Sequence, residues 1–352
     1  MSHGQFLPDD AKEQIMQNDH TWTVVLAAGD GKRLSMLTAD SQGRHVPKQF
    51  CSLHGGPSLF DLALARARSL VPEDRVCAVV ASEHERWWQP IADELHAGNL
   101  IVQPRNRGTG NGVLLALASI LKKDPQARLV FLPSDHHVMD EEILDQAIRS
   151  ALHAMPTHSR DIYLLGIEPD DADPELGYII PQQCGQRDAQ GVRHFVEKPS
   201  RGVAEKLIQQ GGLWNSAIFA ANGESLMALF KARFLGNVLG IRAALLKTDD
   251  PIRPSWALSH LYERIAEVDF SRHILASHVG EIRVVPVPHC GWSDLGTPHR
   301  VSERLKRLHL SSFRLKARHS KTAFLDLGDA TMKAGKCGFS LQTAVWLSKS
   351  PT

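Results

Sequence analysis

Val24-Val25-Leu26-Ala27-Ala28-Gly29-Asp30-Gly31-Lys32-Arg33-Leu34 is the stretch that decides how this chain folds. An apolar run that stops abruptly at Gly-Asp-Gly is a buried strand leaving its sheet through a tight loop. Glycines at 29 and 31 let the backbone bend with no Cβ in the way, and let its N–H groups approach an anion. Lys32 and Arg33 set two cations just past the bend. The combination suits a polyphosphate at the carboxyl end of a first strand, the usual ligand position in an open α/β sheet. A solvated turn followed by two basic residues is the competing reading. Two familiar phosphate loops are excluded. Walker A needs Ser or Thr after Gly-Lys, and Arg33 stands there; the dinucleotide fingerprint needs a glycine where Leu34 stands.

Outward from that loop, strand and helix patterns alternate. Leu59 to Leu70 is apolar at helical spacing, Val76 to Val80 reads as a buried strand, and Glu83 to Leu95 as a polar helix. Leu100 to Val102 is a short strand, Val113 to Leu121 a helix apolar almost all round, and Leu129 to Leu132 and Ile162 to Ile167 further buried strands. Strands without in/out alternation, separated by helices, predict an α/β fold: a Rossmann-like, mostly parallel sheet with helices on both faces. The second half changes character. Tyr178 to Ile180 and Val192 to Val196 read as antiparallel strands around a polar turn, followed by helices near 203–210, 225–234 and 256–265 and a strand at Ile282 to Val287. We read one unit over 21–310 with an inserted antiparallel, substrate-facing portion. Residues 1–20 are a polar N-terminal extension, and 311–352 a short C-terminal extension without evident chemistry.

Composition narrows the function classes. The 352 residues carry a net charge of +1, so no basic face is needed for a nucleic-acid backbone. Cysteines at 51, 77, 184, 290 and 337 show no Cys-x-x-Cys spacing and are odd in number, which suits reduced thiols in the cytoplasm. The first twenty residues lack an apolar signal core, and no run of about eighteen apolar residues follows. A soluble cytoplasmic protein, without nucleic-acid or membrane partners, is the expectation.

Several short segments carry chemistry. In Val46-Pro47-Lys48-Gln49-Phe50 the proline fixes the backbone ahead of Lys48, whose ammonium either serves a ligand from a constrained position or decorates a surface turn. In Gln103-Pro104-Arg105-Asn106-Arg107-Gly108-Thr109-Gly110, Thr109 is a candidate helix N-cap. Gln103 offers both donor and acceptor to a nucleobase edge, and Gly108 lets backbone lie against a flat ring. Asp135, in Leu132-Pro133-Ser134-Asp135-His136-His137, ends a central strand and is a natural Mg²⁺ ligand. The adjacent histidines diverge and do not make a zinc site. Asp294, in Gly291-Trp292-Ser293-Asp294-Leu295-Gly296, is either a second metal carboxylate or a turn residue ahead of a helix begun at Pro298. Glu197 and Lys198, facing opposite ways, suit a sugar hydroxyl and a phosphate. Asn215 needs a partner inside an apolar strand. Asp171-Ala172-Asp173 matches an Asp-x-Asp metal string, although an acidic turn before Pro174 explains it as well.

In this order, the segments resemble the sugar-phosphate nucleotidylyltransferases, and most closely the bacterial mannose-1-phosphate guanylyltransferase branch. Leu26-Ala27-Ala28-Gly29-Asp30-Gly31-Lys32-Arg33-Leu34, Pro47-Lys48-Gln49-Phe50, Arg107-Gly108-Thr109, Leu132-Pro133-Ser134-Asp135-His136, Gly177-Tyr178-Ile179, Phe195-Val196-Glu197-Lys198-Pro199, Trp214-Asn215-Ser216 and Gly291-Trp292-Ser293-Asp294-Leu295-Gly296 carry the likeness. The resemblance implies a nucleotide-diphospho-sugar transferase type of fold and a sugar-1-phosphate attacking the α-phosphorus of a nucleoside triphosphate. It implies Arg33, Lys48 and Lys198 as catalytic cations. Ala27, Ala28, Gly29, Gly31, Lys32, Gln103, Gly108 and Thr109 would bind nucleotide, and Gly177, Tyr178, Glu197 and Asn215 the sugar phosphate. Asp135 and Asp294 would hold Mg²⁺. The partners are then small molecules, and a homodimer is compatible with the sequence. Departures occur: Ala28 where the family has glycine, Lys32 for Thr, Gln103-Pro104 for Glu-Asn, and Ala217 for glycine. Glucose-1-phosphate with UTP or dTTP, a glycosyltransferase, and a non-catalytic nucleotide-sugar sensor are the rival readings. Arg33→Ala is expected to lower kcat/KM at least about 10²-fold, read as pyrophosphate release.

Overall fold

Val24 and Val25 are both fully buried, and they point into different cores, one on each face of a single sheet. The computed structural model describes residues 20–31, 34–35, 37–38, 44–53, 56–156, 159–183, 188–247 and 255–307, with a two-residue strand at 323–324. The strands are β1 (Thr21–Ala27), β2 (Cys51–Ser52), β3 (Val76–Ala81), β4 (Leu100–Gln103), β5 (Arg128–Pro133), β6 (Ile162–Ile167), β7 (Gly177–Pro181), β8 (Gln190–Glu197), β9 (Leu213–Asn222), β10 (Ile282–Val287) and β11 (Ala323–Phe324). The helices are α1 (Leu59–Leu70), α2 (Glu85–Ala92), α3 (Thr109–Lys123), α4 (Glu141–Ala154), α5 (Arg201–Gln209), α6 (Gly223–Leu245), α7 (Trp256–Arg264) and α8 (Pro298–Arg307).

Nine strands form one sheet in the order β4-β3-β1-β5-β9-β6-β10-β8-β7. The block β4-β3-β1-β5 is parallel throughout, and β6 pairs in parallel with β10. Between them β9 runs antiparallel to both β5 and β6. The sequence pattern predicts the parallel part correctly, because strands covered on both faces show no alternation. It does not predict that β9 enters the middle of the sheet. β7 and β8 form the expected antiparallel pair, and β7 also joins the start of β9. β2 and β11 make a separate parallel pair.

Local chemistry explains the helix starts. Ser58 and Asp61 form a reciprocal capping box at α1, Asp140 caps α4 through Ile143 N–H, and Asn222 caps α6 through Glu224 and Ser225 N–H. Two predicted helices differ from the structure. The stretch 83–95 narrows to α2, preceded by a tight turn at Ser82–His84 and containing Pro90. The helix expected to stop at Phe234 continues to Leu245 through a kink at Phe234, where φ is −129° and ψ is 41°. α3 is buried along Val113–Ala118, as its all-round apolarity implies. Among the described residues, no helix is long and apolar enough to cross a membrane.

Candidate active site

The site is built at the carboxyl edge of the sheet, where β1, β4, β5, β6 and β10 end. The loop leaving β1 is held open by neighbours. Gln49, 2% exposed, donates from Nε2 to the carbonyls of Ala27 and Gly29, each at 2.9 Å. His45 Nε2 lies 3.0 Å from Asp30 O, and Asn106 Nδ2 donates to Asp30 Oδ1 at 3.0 Å. Among the described residues, nothing lies within 4 Å of a Cβ added at Gly29. Gly31 has φ +63°, and a Cβ there would lie 2.9 Å from Lys48 N, so this position requires glycine.

Pro47 leads into a single tight turn, Lys48–Phe50, that turns Lys48 inward rather than to solvent. Its ammonium pairs with Asp135 Oδ2 at 2.8 Å and donates to Asp294 O at 2.6 Å. Lys48 therefore ties together three loops that are distant in sequence. Burial pushes the Asp135 carboxyl up, but the charges of Lys48 and His136 and the Lys48 hydrogen bond outweigh it and hold it below its usual range. Burial drives the His136 imidazole down to about 4, against the pull of Asp135. A neutral ring can accept at Nδ1, and Trp292 Nε1–H donates there at 3.2 Å. His137 and Ser293 exchange backbone hydrogen bonds of 2.9 and 2.8 Å, stitching the β5 exit to the segment after β10. Ser134 stitches the same exit to β1, its N–H and Oγ both donating to Leu26 O.

Further along the edge, Gly177, Glu197 and Asn215 converge. A Cβ at Gly177 would sit 2.7 Å from Glu197 Oε2 and 3.4 Å from Asn215 Cβ. Asn215 accepts the Ala217 N–H on Oδ1 at 3.0 Å and lies beside Gly166, next to the end of β6. Among the described residues, the non-glycine residues with positive φ are Lys198 (+49°), Ala217 (+56°) and Leu295 (+47°). Each lies within two positions of Glu197, Asn215 or Asp294. Backbone strain of this kind, about 1–3 kcal/mol each, concentrates where side chains are aimed at a ligand. The strain at Ala217 also gives the physical reason a glycine is favoured there.

A family model for nucleotidyl transferases matches residues 22–308. The chain belongs to the nucleotidyl transferase family. The mannose-1-phosphate guanylyltransferase 2 of Escherichia coli O157:H7 is 28% identical over 296 residues, covering 78% of this chain and 58% of the relative. The mannose-1-phosphate guanylyltransferase of Salmonella montevideo is 28% identical over 293 residues, with the same coverage. This chain thus spans little more than half the length of those curated relatives. A crystal structure from Thermus thermophilus, described as a mannose-1-phosphate geranyltransferase, superposes with a TM-score of 0.68 at 28% identity, over 79% of this chain and 76% of the other.

Against this nucleotidyl transferase fold, each expected site residue has a definite place or none. Lys32 and Arg33 lie outside the described residues. Lys48, Asp135 and Asp294 meet as described, and Gly177, Glu197 and Asn215 meet as a second group. Lys198 is exposed just past β8. Ala27 is fully buried and serves through its carbonyl, while Ala28 is partly exposed at the start of the bend.

Four of the expected residues have structural partners that the sequence does not show. Gln103 is 2% exposed and its Nε2 donates to Arg105 O at 2.7 Å, so this amide is engaged within its own loop. Gly108 itself occupies the N-cap of α3. Its missing side chain makes room for Val268 O, which a Cβ would approach to 2.4 Å, and not for a ligand ring. Thr109 is consequently inside the helix, its hydroxyl accepting Phe270 N–H at 3.0 Å. Tyr178 is wholly buried, its hydroxyl bonded to both N–H and carbonyl of Asp173. Sequence reasoning missed Gln49 as an organiser of the bend. Gln49 stood inside a quoted motif, but its partners, 20 and 22 residues away, gave no local signal.

Proposed function

We propose that this chain joins a sugar-1-phosphate, most readily mannose-1-phosphate, to a nucleoside triphosphate, most readily GTP, releasing pyrophosphate. The observation that carries the reading is Lys48, which bridges the Asp135 carboxylate and the Asp294 peptide beside the Gly29–Gly31 bend. The choice of mannose and guanine rests on the names of the relatives at 28% identity.

In the reaction, a phosphate oxygen of the sugar ester attacks the α-phosphorus, the bond to the β-phosphate breaks, and pyrophosphate leaves. The nucleophile is already an anion at neutral pH, so no general base is required. The barrier lies in bringing two polyanions into line, so positioning and positive charge supply the catalysis. Lys48 orients the α-phosphate, with Arg33 and Lys32 assigned to the leaving phosphates. Lys198 takes the sugar phosphate, while Glu197 and Asn215 accept from and donate to sugar hydroxyls.

The donor set fits Mg²⁺. Among the described residues, no group of three His, Cys, Asp or Glu side chains forms a metal cage, and Mg²⁺ needs none, since one or two carboxylates with phosphate oxygens and water suffice. Asp135 and Asp294 would hold it, and each of these carboxylates faces a protein cation, Lys48 or Arg300. When bound, the ion neutralises charge on the reacting phosphates.

A turnover screen over four nucleoside triphosphates and several sugar-1-phosphates with Mg²⁺, read as pyrophosphate, tests the proposal. Fastest release with the mannose-1-phosphate and GTP pair is expected, and its abolition by a chelator. Nucleotide binding without turnover of any pair would overturn it in favour of a sensor.

Gly177→Ala is expected to raise KM for the sugar-1-phosphate about tenfold, near 1.4 kcal/mol, while leaving KM for the nucleotide unchanged. The added methyl displaces Glu197 Oε2 from 2.7 Å. Steady-state kinetics with each substrate varied in turn check it; parallel rises in both constants would count against the sugar assignment.

A further inference from the structure

Arg300 has no part in the roles assigned above, yet its guanidinium joins two of the site's walls. Nη1 donates to Asp294 Oδ1 at 2.5 Å, Nη2 pairs with Asp173 Oδ2 at 2.6 Å, and the guanidinium carbon lies 5.1 Å from the centre of the Trp214 ring. All three charged side chains are nearly enclosed, at 13% exposure for Arg300, 16% for Asp173 and 15% for Asp294. A planar fork shared by two carboxylates and stacked on an indole has one geometry available to it. Both hydrogen bonds on the Asp294 carboxylate fall on the same atom: Gly296 N–H also donates to Oδ1, at 3.1 Å. Among the described residues Oδ2 receives none. A Cβ at position 296 would stand 2.4 Å from Oδ2, so the glycine leaves that oxygen its room.

The other end of the bridge is equally fixed. Asp173 N–H donates to Tyr178 Oη at 2.8 Å, and Tyr178 Oη donates back to Asp173 O at 3.0 Å. Tyr178 directly follows Gly177 in β7, whose opposite neighbours are Glu197 and Asn215. An unbroken set of contacts therefore runs from the Asp294 carboxylate through Arg300 and Asp173 to the strand that faces the sugar. Outer partners of this type hold a ligating carboxylate in its working orientation, and their loss weakens metal binding about 10–100-fold.

We propose that Arg300 is a positioning residue: by binding Oδ1 it presents Oδ2 of Asp294 to a divalent ion, and through Asp173 it couples that carboxylate to the sugar-facing strand. The proposal rests on Asp294 being a metal ligand, as proposed above.

The test is direct titration of the full nucleotide-free chain with Mn²⁺, reading free ion by electron paramagnetic resonance. Thermal unfolding alongside confirms that each variant is folded. Arg300→Gln and Arg300→Ala are expected to raise the Mn²⁺ Kd about 10–100-fold. Arg300→Lys, which keeps the charge but not the fork, should recover only part of that loss. Asp173→Asn should weaken binding by a smaller factor, because Arg300 stays but loses its second anchor. Asp294→Asn separates the two levels of the argument. If it leaves Mn²⁺ binding unchanged, Asp294 is not a ligand and the proposal falls with that reading. If it abolishes binding while the Arg300 variants bind within about twofold of wild type, or more tightly, the role of Arg300 alone is overturned.

Discussion

Lys48→Ala is expected to lower kcat/KM about 10³-fold, near 4 kcal/mol of transition-state stabilisation, in a protein that still folds. Lys48 is 6% exposed, so its charge acts in a poorly screened place. Under the proposed function its removal takes one cation from the reacting phosphates, and it also removes the fastener between the Asp135 and Asp294 loops. The Asp135 carboxyl, now held below its usual range chiefly by Lys48 against burial, would rise. Lys48→Arg should not restore activity, because a planar fork cannot replace a compact ammonium held between Asp135 Oδ2 and Asp294 O. Pyrophosphate release and circular dichroism measured together decide the matter. A folded variant within about tenfold of wild type would remove Lys48 from the chemistry.

Gly108→Ala is the largest expected effect on stability, with a loss of about 3–5 kcal/mol and a fall in Tm of roughly 10 °C. At φ +82° and ψ 156° the residue occupies a region that only glycine populates freely. The new Cβ would also meet Val268 O at 2.4 Å and Val268 C at 2.8 Å, both backbone atoms that cannot step aside alone. That contact is where α3 locks onto the segment before Phe270: Gly110 N–H donates to Val268 O at 2.7 Å and Val268 N–H to Arg107 O at 3.1 Å. Asn111 adds bonds from Nδ2 to Arg107 O and Ala266 O. Calorimetry of the variant beside wild type checks the value, and a midpoint within about 2 °C would show that the segment yields.

These two residues mark how legible the site was. Lys48 was readable as a constrained cation because a proline stood before it in a short, motif-like string, but its partners Asp135 and Asp294 were not. Gly108 was readable as a glycine that matters, but the reason was hidden: the atom that excludes a side chain belongs to Val268, 160 positions later in the chain. Gln103 shows the opposite case. A polar residue at a strand end has the right chemistry for a base edge, and only packing reveals that its donor is satisfied two residues away by Arg105 O. Tyr178 and Thr109 were drawn in by neighbouring motif residues, while their own hydroxyls close local structure.

What the sequence determined by itself is the set of parts: unbroken apolar runs that must be buried on both faces, and the glycine bend at 29–31 that ends the first of them. Those are one-dimensional properties, set by hydrophobicity and by the absence of a Cβ, and they need no partner. Only the tertiary structure decided which parts meet. It inserted β9 between β5 and β6, brought Lys48 to Asp135 and Asp294, and stretched Arg300 between Asp173 and Asp294. Charge pairing and close approach depend on distances between segments far apart in the chain, and such distances exist only after it has folded.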